Sequence, residues 1–342
     1  MDFSLTEERR MLADSLRGTL KRGADWSQLA ELGVLGALFT EDEGGFGGGG
    51  FDIAVVFEEL GRAGSTAPIL DAGLAGGLLA DCCETALVER VIDGTTRPAF
   101  AHDEPGNRYD ATVRSRASGD TINGAKSMVV SAEVANLLVV SAQDQDGLSL
   151  FAVEPGAKGV SLRTVPALSG GQVSEITFDN APARRIGPST GAARLIEYRL
   201  AAATLALCAD ALGTMETVKE MTLDYLRTRK QFGRPIGSFQ ALQHRMADLV
   251  IEIEQARSAV INLAGHLGAQ PEQRALHVSA TKNIVGRTAH LVAEESIQLH
   301  GGIAMTESYA LGPLARRLIA VDHRFGDEDW HMERFIALRT AS

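Results

Sequence analysis

Four positive charges and one aromatic ring lie close together in the stretch Arg227–His244. The cations are Arg227, Arg229, Lys230 and Arg234, and the ring is that of Phe232. A guanidinium group can hold two phosphate oxygens in a fork, and a ring offers stacking surface, so this stretch could bind a phosphorylated ligand. The alternative is a solvated helix end, at which Lys and Arg only complement the helix dipole.

Two helices and a short turn must position this stretch. Gly233, Pro235 and Gly237 interrupt the helical pattern, and Ser238 predicts the capped start of the second helix. Beyond it, apolar residues recur at intervals of three and four, which predicts a long amphipathic helix. They are Phe239, Leu242, Met246, Leu249, Ile253, Ala256, Val260, Leu263 and Leu267.

The period of the apolar residues changes twice along the chain, which predicts an α+β protein of three domains. Residues 1–97 have a helical period, with the glycine run at 44–50 predicting a flexible turn. A phosphate loop is disfavoured there because no Lys-Ser or Lys-Thr follows the glycines. Residues 98–189 alternate with period two, which predicts an antiparallel barrel or sandwich. Residues 190–342 return to the helical period and predict a four-helix bundle.

Composition excludes several classes of partner. The formal net charge of −11 and the pI of about 5.3 leave no broad basic face for nucleic acid. Cys82, Cys83 and Cys208 are sparse and lack Cys-x-x-Cys spacing, so we expect neither disulfides nor a metal site. No apolar run of about 18 residues is present, and the first residues do not read as a signal peptide. We therefore expect a cytoplasmic protein that makes no use of a membrane.

Three motifs resemble the acyl-CoA dehydrogenase family, and the resemblance covers nearly the whole chain. Arg-x-x-Phe-Gly-x-x-Ile-x-x-x-Gln, from Arg229 to Gln240, resembles the flavin-contacting signature of that family. Asn123-Gly124-Ala125-Lys126 resembles its Asn-Gly-x-Lys hairpin, and Gln298-Leu299-His300-Gly301-Gly302 resembles its Gln-x-x-Gly-Gly segment. The resemblance implies the same domain order: an N-terminal helical domain, a β domain and a helical bundle.

The resemblance also implies FAD as cofactor, bound between two subunits. One subunit's β domain holds the flavin ring, and the helical segments of its neighbour meet the adenine and pyrophosphate end. Arg229 would bind pyrophosphate, Phe232 would pack on the flavin's apolar flank, and the Gln298 segment would meet the rest. The implied cofactor-binding residues are Arg229, Gln231, Phe232, Ile236, Gln240, Gln298, Gly301 and Gly302.

The ring-contact set departs from the family pattern. Members commonly carry Thr-Glu-Pro-x-x-x-Ser-Asp, whereas this chain has His102–Asp110 there, without the matching hydroxyls. The family's Trp-x-Thr or Trp-x-Ser is replaced by Met128-Val129-Val130. We therefore expect a weakened flavin-ring site in this chain.

The family reaction needs a carboxylate that removes the α-proton of an acyl thioester while hydride leaves the β-carbon. Aligning the C-terminal Glu333–Ala337 places Asp327 at the position of the usual glutamate, and the family's second location falls near Ala203. Asp is one methylene shorter than Glu, which disfavours it as a base. The alternative is that Asp327, Glu328 and Asp329 cap or solvate the start of a helix.

The resemblance thus implies a subunit of a tetrameric, FAD-dependent acyl-CoA dehydrogenase that desaturates an acyl-CoA and passes electrons to an electron-transfer flavoprotein or similar acceptor. A homologous partner subunit would supply the complete flavin pocket and the base, as in the bacterial dehydrogenases of steroid side-chain breakdown. Two alternatives stay open: a homotetramer with Asp327 as base, and a flavin-free structural homologue.

Overall fold

The computed structural model describes residues 6–20, 23–109, 112–168, 170–306 and 308–340. Within them, the chain forms two compact units. One comprises the segment up to Gly23, Gly50–Ser65 and the chain from Thr204 onward; the other comprises Ala24–Gly49 and Thr66–Ala203.

The first unit is helical, and the long helices predicted after residue 190 are present. Its helices are α1 (Glu7–Leu20), α3 (Gly50–Arg62), most of α6 (Ala192–Thr228), α7 (Gln240–His266), α8 (Pro271–His300), α9 (Leu311–Asp322) and α10 (Glu328–Thr340). Leu205, Cys208, Leu212 and Met215 are buried along one stripe of α6, as their spacing predicts. The helix α10 makes a fifth helix after residue 190 where four were expected.

Two glycines allow α3 and α6 to lie in close contact. A Cβ atom on Gly61 would stand 1.9 Å from the carbonyl oxygen of Asp210, and one on Gly213 would stand 1.9 Å from that of Glu58. Arg317 of α9 adds a bidentate ion pair to the carboxylate of Asp210 and donates to the Ser65 carbonyl at 2.6 Å. These contacts hold α3, α6 and α9 together.

The second unit is built around a β-sheet that is open rather than closed into a barrel. In the described part of this unit, eight strands pair in the order β6-β7-β3-β2-β4-β5-β8, with β1 parallel to β4. They are β1 (Pro98–Ala101), β2 (Arg116–Ser118), β3 (Thr121–Val130), β4 (Leu137–Asp144), β5 (Gly147–Val153), β6 (Val160–Pro166), β7 (Gln172–Pro182) and β8 (Arg184–Ile186). The helices of this unit are α2 (Trp26–Glu31), α4 (Ile69–Asp81) and α5 (Thr85–Ile92).

The region that alternates with period two forms strands, but the sequence pattern did not predict β1 or β8. Both are short and contribute few alternating residues. The sheet is also not purely antiparallel, because β1 and β2 each pair in parallel with β4. The core between the strands includes Ile122, Leu138, Phe151 and Phe178.

None of the helices in the described ranges combines the length and apolar character needed to cross a lipid bilayer. No group of three or more His, Cys, Asp or Glu side chains that could hold a metal ion occurs there either.

Candidate functional site

The cationic stretch folds into a tight hairpin at the end of α6. Its two short strands are β9 (Lys230–Gln231) and β10 (Arg234–Pro235), with Gln231 opposite Arg234. Phe232 and Gly233 form the two-residue turn with φ of 53° and 78°, the left-handed pair that a type I′ turn requires. The amide of Ile236 donates to the Arg229 carbonyl at 2.8 Å and closes the hairpin.

The tip of this hairpin presents an aromatic ring to solvent. Phe232 is 90% exposed, although a phenylalanine usually buries its ring. Its one aromatic neighbour in the described chain is Phe239, edge-on at 6.2 Å, and the guanidinium of Arg234 lies 4.1 Å from the Phe239 ring centre. The ring at the turn is therefore held out where another molecule can pack on it.

The hairpin cations differ from most others in the helical unit. Arg257, for example, pairs with Glu58 and Glu216 at 3.1 and 2.8 Å. In the described part of the chain, the exposed side chains of Arg227, Arg229 and Lys230 form no ion pair. In a chain of net charge −11, unpaired cations beside an exposed ring make a local anion-binding surface.

The end of α8 forms the second part of this surface. Gln298, Gly301 and Gly302 are exposed, and open space lies where a Cβ on either glycine would stand. Gly301 has a φ of 67°, which ends the helix and favours glycine. The backbone of this segment is therefore accessible to a ligand.

A stacked pair of rings joins the two parts, and the sequence analysis missed it. His300, the last residue of α8, stacks on Tyr225 of α6 with ring centres 4.5 Å apart. The Tyr225 carbonyl accepts from the Arg229 amide at 2.8 Å, one turn before the hairpin. We call the surface carried by the hairpin and the α8 end the dinucleotide face, after the ligand that the family resemblance implies for it. Its predicted members are Arg229, Gln231, Phe232, Ile236, Gln240, Gln298, Gly301 and Gly302.

Two details of the face differ from expectation. Ser238 does not cap α7, because its hydroxyl donates to the Pro235 carbonyl at 2.7 Å and the helix begins two residues later. Gln240 is therefore the first residue of α7, exposed at its N-terminus, while Ile236 is half-buried behind the hairpin.

Asp327 lies elsewhere, at the start of α10, where it acts as a helix cap. Its carboxylate accepts from the Trp330 amide at 2.8 Å, and the residue is only 7% exposed. Phe325 and Gly326, with φ of 60° and 107°, form the turn that leads into it. This geometry agrees with the capping alternative for the acidic run 327–329.

A buried lysine holds the turn before Asp327. Lys282 of α8 is inaccessible to solvent and donates to the Gly326 carbonyl at 2.7 Å. Burial lowers the pKa of Lys282, while nearby Cys208, Asp322 and Asp327 act in the opposite direction. His331 reaches the Phe325 carbonyl at 2.9 Å. The Asp327 position is thus fixed from both α8 and α10.

The segment predicted to meet the flavin ring is held by a buried polar network. Lys126 of β3 is fully buried and donates to the His102 carbonyl, the Glu104 carboxylate and the Ser141 hydroxyl at 3.0, 2.9 and 3.2 Å. Its three N–H donors are therefore all used. Glu104 also accepts from the amide and hydroxyl of Ser115 at 2.9 and 2.7 Å.

The network shifts the pKa values of its members. Burial and the Lys126 ammonium lower the pKa of His102 to about 4. Burial alone raises the pKa of Glu104, but its hydrogen bonds to Lys126, Ser115 and Arg114 lower it to about 2. At neutral pH, Glu104 is therefore a carboxylate and His102 is a neutral imidazole. Asp110, at the end of the segment His102–Asp110, lies outside the described residues.

Three of the positions aligned with the family's ring contacts carry an acid, Asp103, and two apolar side chains, Met128 and Val130. Asp103 is exposed, and its carbonyl accepts from the Ser127 amide at 2.8 Å. Met128 is 63% exposed with a φ of 54°, and Val130 is half-buried opposite Val173. Asp103, Met128 and Val130 thus bring neither a hydroxyl donor nor an aromatic wall to their positions.

Comparison with known families decides the class of the protein. The family models described as "Acyl-CoA dehydrogenase, N-terminal domain" and "Acyl-CoA dehydrogenase, C-terminal domain" match residues 6–96 and 191–337. The chain belongs to the acyl-CoA dehydrogenase family. Its predicted fold and oxidoreductase class are thereby confirmed. A relative named acyl-CoA dehydrogenase IpdE2, from Mycobacterium tuberculosis, is 30% identical over 83% of this chain and 78% of its own length.

Solved structures share the fold over essentially the whole chain. A steroid acyl-CoA dehydrogenase variant, Tcur3481-Tcur3483, is 28% identical with a TM-score of 0.88 and covers 99% of both chains. The ChsE4-ChsE5 complex from Mycobacterium tuberculosis has a TM-score of 0.89 at 24% identity, covering 100% of both chains. A glutaryl-CoA dehydrogenase from Mycobacterium smegmatis, in complex with FADH2, has a TM-score of 0.88 at 22% identity, covering 99% of this chain and 96% of that one.

FAD is the cofactor expected of this family. The dinucleotide face suits it better than the β-domain segment does. The dinucleotide face offers unpaired cations, an exposed ring and open backbone, which suit the adenine and pyrophosphate end. The β-domain segment offers Asp103, Met128 and Val130 at the ring positions, which suits the isoalloxazine poorly.

Proposed function

We propose that this chain is the subunit of an FAD-dependent acyl-CoA dehydrogenase assembly that lends its dinucleotide face to a flavin whose ring is held by a homologous partner. One observation carries the proposal: the carboxylate at the base position, Asp327, is buried and caps α10, whereas Arg229 and Phe232 are exposed and available. The partner supplies the base and the ring pocket.

When bound, FAD supplies the hydride acceptor for α,β-desaturation of the acyl thioester. The residues of this chain bind and orient it. Arg229 is placed to form a charge-assisted pair with a pyrophosphate oxygen, and Phe232 packs against an apolar part of the cofactor. The family has two positions for the base that removes the α-proton. In this chain one carries Asp327, whose carboxylate caps α10, and the other carries Ala203, which has no carboxylate.

The similarity to a steroid acyl-CoA dehydrogenase and to the ChsE4-ChsE5 complex supports two finer parts of the proposal. The assembly is a heterotetramer of two homologous chains, and its substrate is a steroid-type acyl-CoA thioester. Electrons leave to an electron-transfer flavoprotein or a similar acceptor, as the family resemblance implies. The dinucleotide face carries exposed cations without ion pairs among the described residues and an exposed aromatic ring. This argues against a flavin-free scaffold, because a purely structural chain does not require such a surface.

The test is the flavin content of the protein purified alone and after co-expression with the product of its neighbouring gene. We expect a nearly colourless chain alone and a yellow complex with one flavin per pair of subunits. A stoichiometrically yellow homo-oligomer of this chain would support the homotetramer instead. A complex without flavin under both conditions would support the structural homologue.

A further inference from the structure

The register of the hairpin at the end of α6 decides which of its cations share a face. Gln231 lies opposite Arg234 in the two-stranded ladder. The amide of Ile236 donates to the Arg229 carbonyl at 2.8 Å, which continues the same register by two residues. Side chains alternate between the two faces of a strand, so Arg229, Gln231 and Arg234 lie on one face. Lys230 lies on the other.

Two guanidinium groups on one face suit a ligand that has two anionic centres. Arg229 and Arg234 are diagonal neighbours across the ladder, a relation that separates residues by about 7 to 8 Å. Both residues are exposed, and within the described ranges neither guanidinium forms an ion pair. Because arginine side chains are long, both can reach one pyrophosphate, which has an anionic oxygen on each of its phosphates.

An aromatic ring holds the Arg234 guanidinium in place. Its central carbon lies 4.1 Å from the centre of the Phe239 ring, whereas those of Arg9 and Arg97 lie 5.4 and 5.3 Å from the rings that they face. Phe239 is half-buried at the start of α7, where its amide donates to the Ile236 carbonyl at 3.1 Å. A guanidinium stacked on a ring keeps its N–H donors, which lie in its own plane, free for other partners. The contact therefore orders the side chain without using its donors.

Resting on the function proposed above, we propose that Arg234 is a second pyrophosphate-binding residue of the dinucleotide face and that Phe239 is its positioning residue. Arg229 contacts one phosphate of bound FAD, and Arg234 contacts the other. A side chain that is already ordered loses less rotamer entropy on binding, so the stacked arginine binds phosphate more tightly than a mobile one would. Two guanidinium groups also favour a cofactor with two linked phosphates over one with a single phosphate.

The test separates the Arg234 guanidinium from the general positive charge of the hairpin. Arg234→Gln removes the guanidinium and keeps a polar side chain. Lys230→Gln is the matched control, because it removes the same charge from the same hairpin but from the opposite face. Phe239→Leu removes the ring, and Phe239→Tyr keeps it. Each variant, and the double variant of Arg234→Gln with Phe239→Leu, is purified as the assembly, stripped of flavin and titrated with FAD by fluorescence.

We expect Arg234→Gln to weaken FAD binding at least about tenfold, the effect of one charge-assisted hydrogen bond, and Lys230→Gln to weaken it less than about threefold. Phe239→Leu should weaken it about two- to fivefold, the range of an exposed cation–π contact, whereas Phe239→Tyr should bind FAD as wild type does. In the Arg234→Gln background, Phe239→Leu should have no further effect, because the ring acts through the guanidinium.

Equal losses in Arg234→Gln and Lys230→Gln would mean that the hairpin attracts FAD only through its net charge, and they overturn the proposal. A full additional loss from Phe239→Leu in the double variant overturns the positioning role, because the ring would then act independently of Arg234. If Phe239→Leu fails to fold, the comparison of Arg234→Gln with Lys230→Gln still decides the binding role. A wild-type assembly that binds no FAD refutes the proposed function itself, an outcome distinct from equal losses.

Discussion

The dinucleotide face and the β-domain network use the same kinds of residue in opposite ways. Arg229 is exposed and keeps its guanidinium free of ion pairs within the described chain, whereas Lys126 is fully buried with every donor engaged. A free, exposed cation is available to a ligand, and a buried, saturated cation is part of the scaffold. Which role a charged residue has is therefore decided by its partners.

The same contrast extends to the carboxylates. The Glu104 carboxylate accepts hydrogen bonds from Lys126 and Ser115, and the Asp327 carboxylate accepts one from the Trp330 amide in the first turn of α10. Under the proposed function, the exposed surface binds the cofactor, whereas these two carboxylates stabilise the fold. The predictions below test whether the two regions really divide between binding and support.

The largest effect is expected from Lys126→Met. Removing one partner of a buried ion pair leaves Glu104 uncompensated, which typically costs about 3 kcal/mol or more. Urea unfolding should show a clear fall in the midpoint of the β-domain transition. The matched control is Arg163→Met, because the Arg163–Glu175 pair is exposed on both sides and should contribute less than about 1 kcal/mol. Similar shifts for both variants would contradict a supporting role for the network.

Arg229→Ala tests the opposite region. Loss of a charge-assisted contact typically costs about 1.5 to 3 kcal/mol, so the assembly should bind FAD tens- to hundredfold more weakly. Thermal unfolding should barely change, because the side chain is exposed and has no ion pair in the described chain. Arg194→Ala, an exposed change at the other end of α6, is the control and should leave FAD affinity intact. Unchanged affinity in Arg229→Ala would remove this residue from the face.

The pH dependence of stability tests the buried β-domain network through His102. The pKa of His102 falls from 6.5 to about 4 on folding, so the unfolded chain takes up this proton first as the pH drops. The contribution of His102 to the free energy of unfolding is complete above pH 6.5 and is lost as the pH falls towards 4. His102→Gln should therefore reduce the slope of unfolding free energy against pH in this window, by at most about 1.4 kcal/mol per pH unit.

The control for this measurement is His244→Gln, which replaces an exposed histidine of α7 that is not part of the buried network. Identical slopes for all three proteins would mean that His102 titrates in the folded state as it does in the unfolded chain.

The smallest effect is expected from Asp327→Asn. Asn caps helices nearly as well as Asp, so the free energy of unfolding should change by less than about 1 kcal/mol. Single-turnover bleaching of the flavin by an acyl-CoA should proceed at the native rate, because the proposed base lies in the partner. A collapse of the bleaching rate with FAD still bound would make Asp327 catalytic and this chain a complete enzyme.

Much of the fold could be predicted because long, periodic segments report their own structure. The nine apolar residues from Phe239 to Leu267 specified the long helix α7, and the alternating residues 121–130 specified β3. Short elements carry too few periods to be recognised, which is why β1 and β8 were missed. The sequence left open whether the strands form a closed barrel or an open arrangement, because alternation fixes faces and not the pairing of edge strands, and the sheet is open.

The sequence by itself determined the family and the motifs of the dinucleotide face, because those residues are close together in the chain and their spacing is local. Only the tertiary structure decided which partners the charged and polar side chains contact. Lys126 meets Ser141, and His300 meets Tyr225, across long stretches of sequence, so no local pattern reveals either contact. The position of Asp327 in the sequence is compatible with a catalytic base or a helix cap. The hydrogen bond from the Trp330 amide to its carboxylate in the folded chain favours the cap.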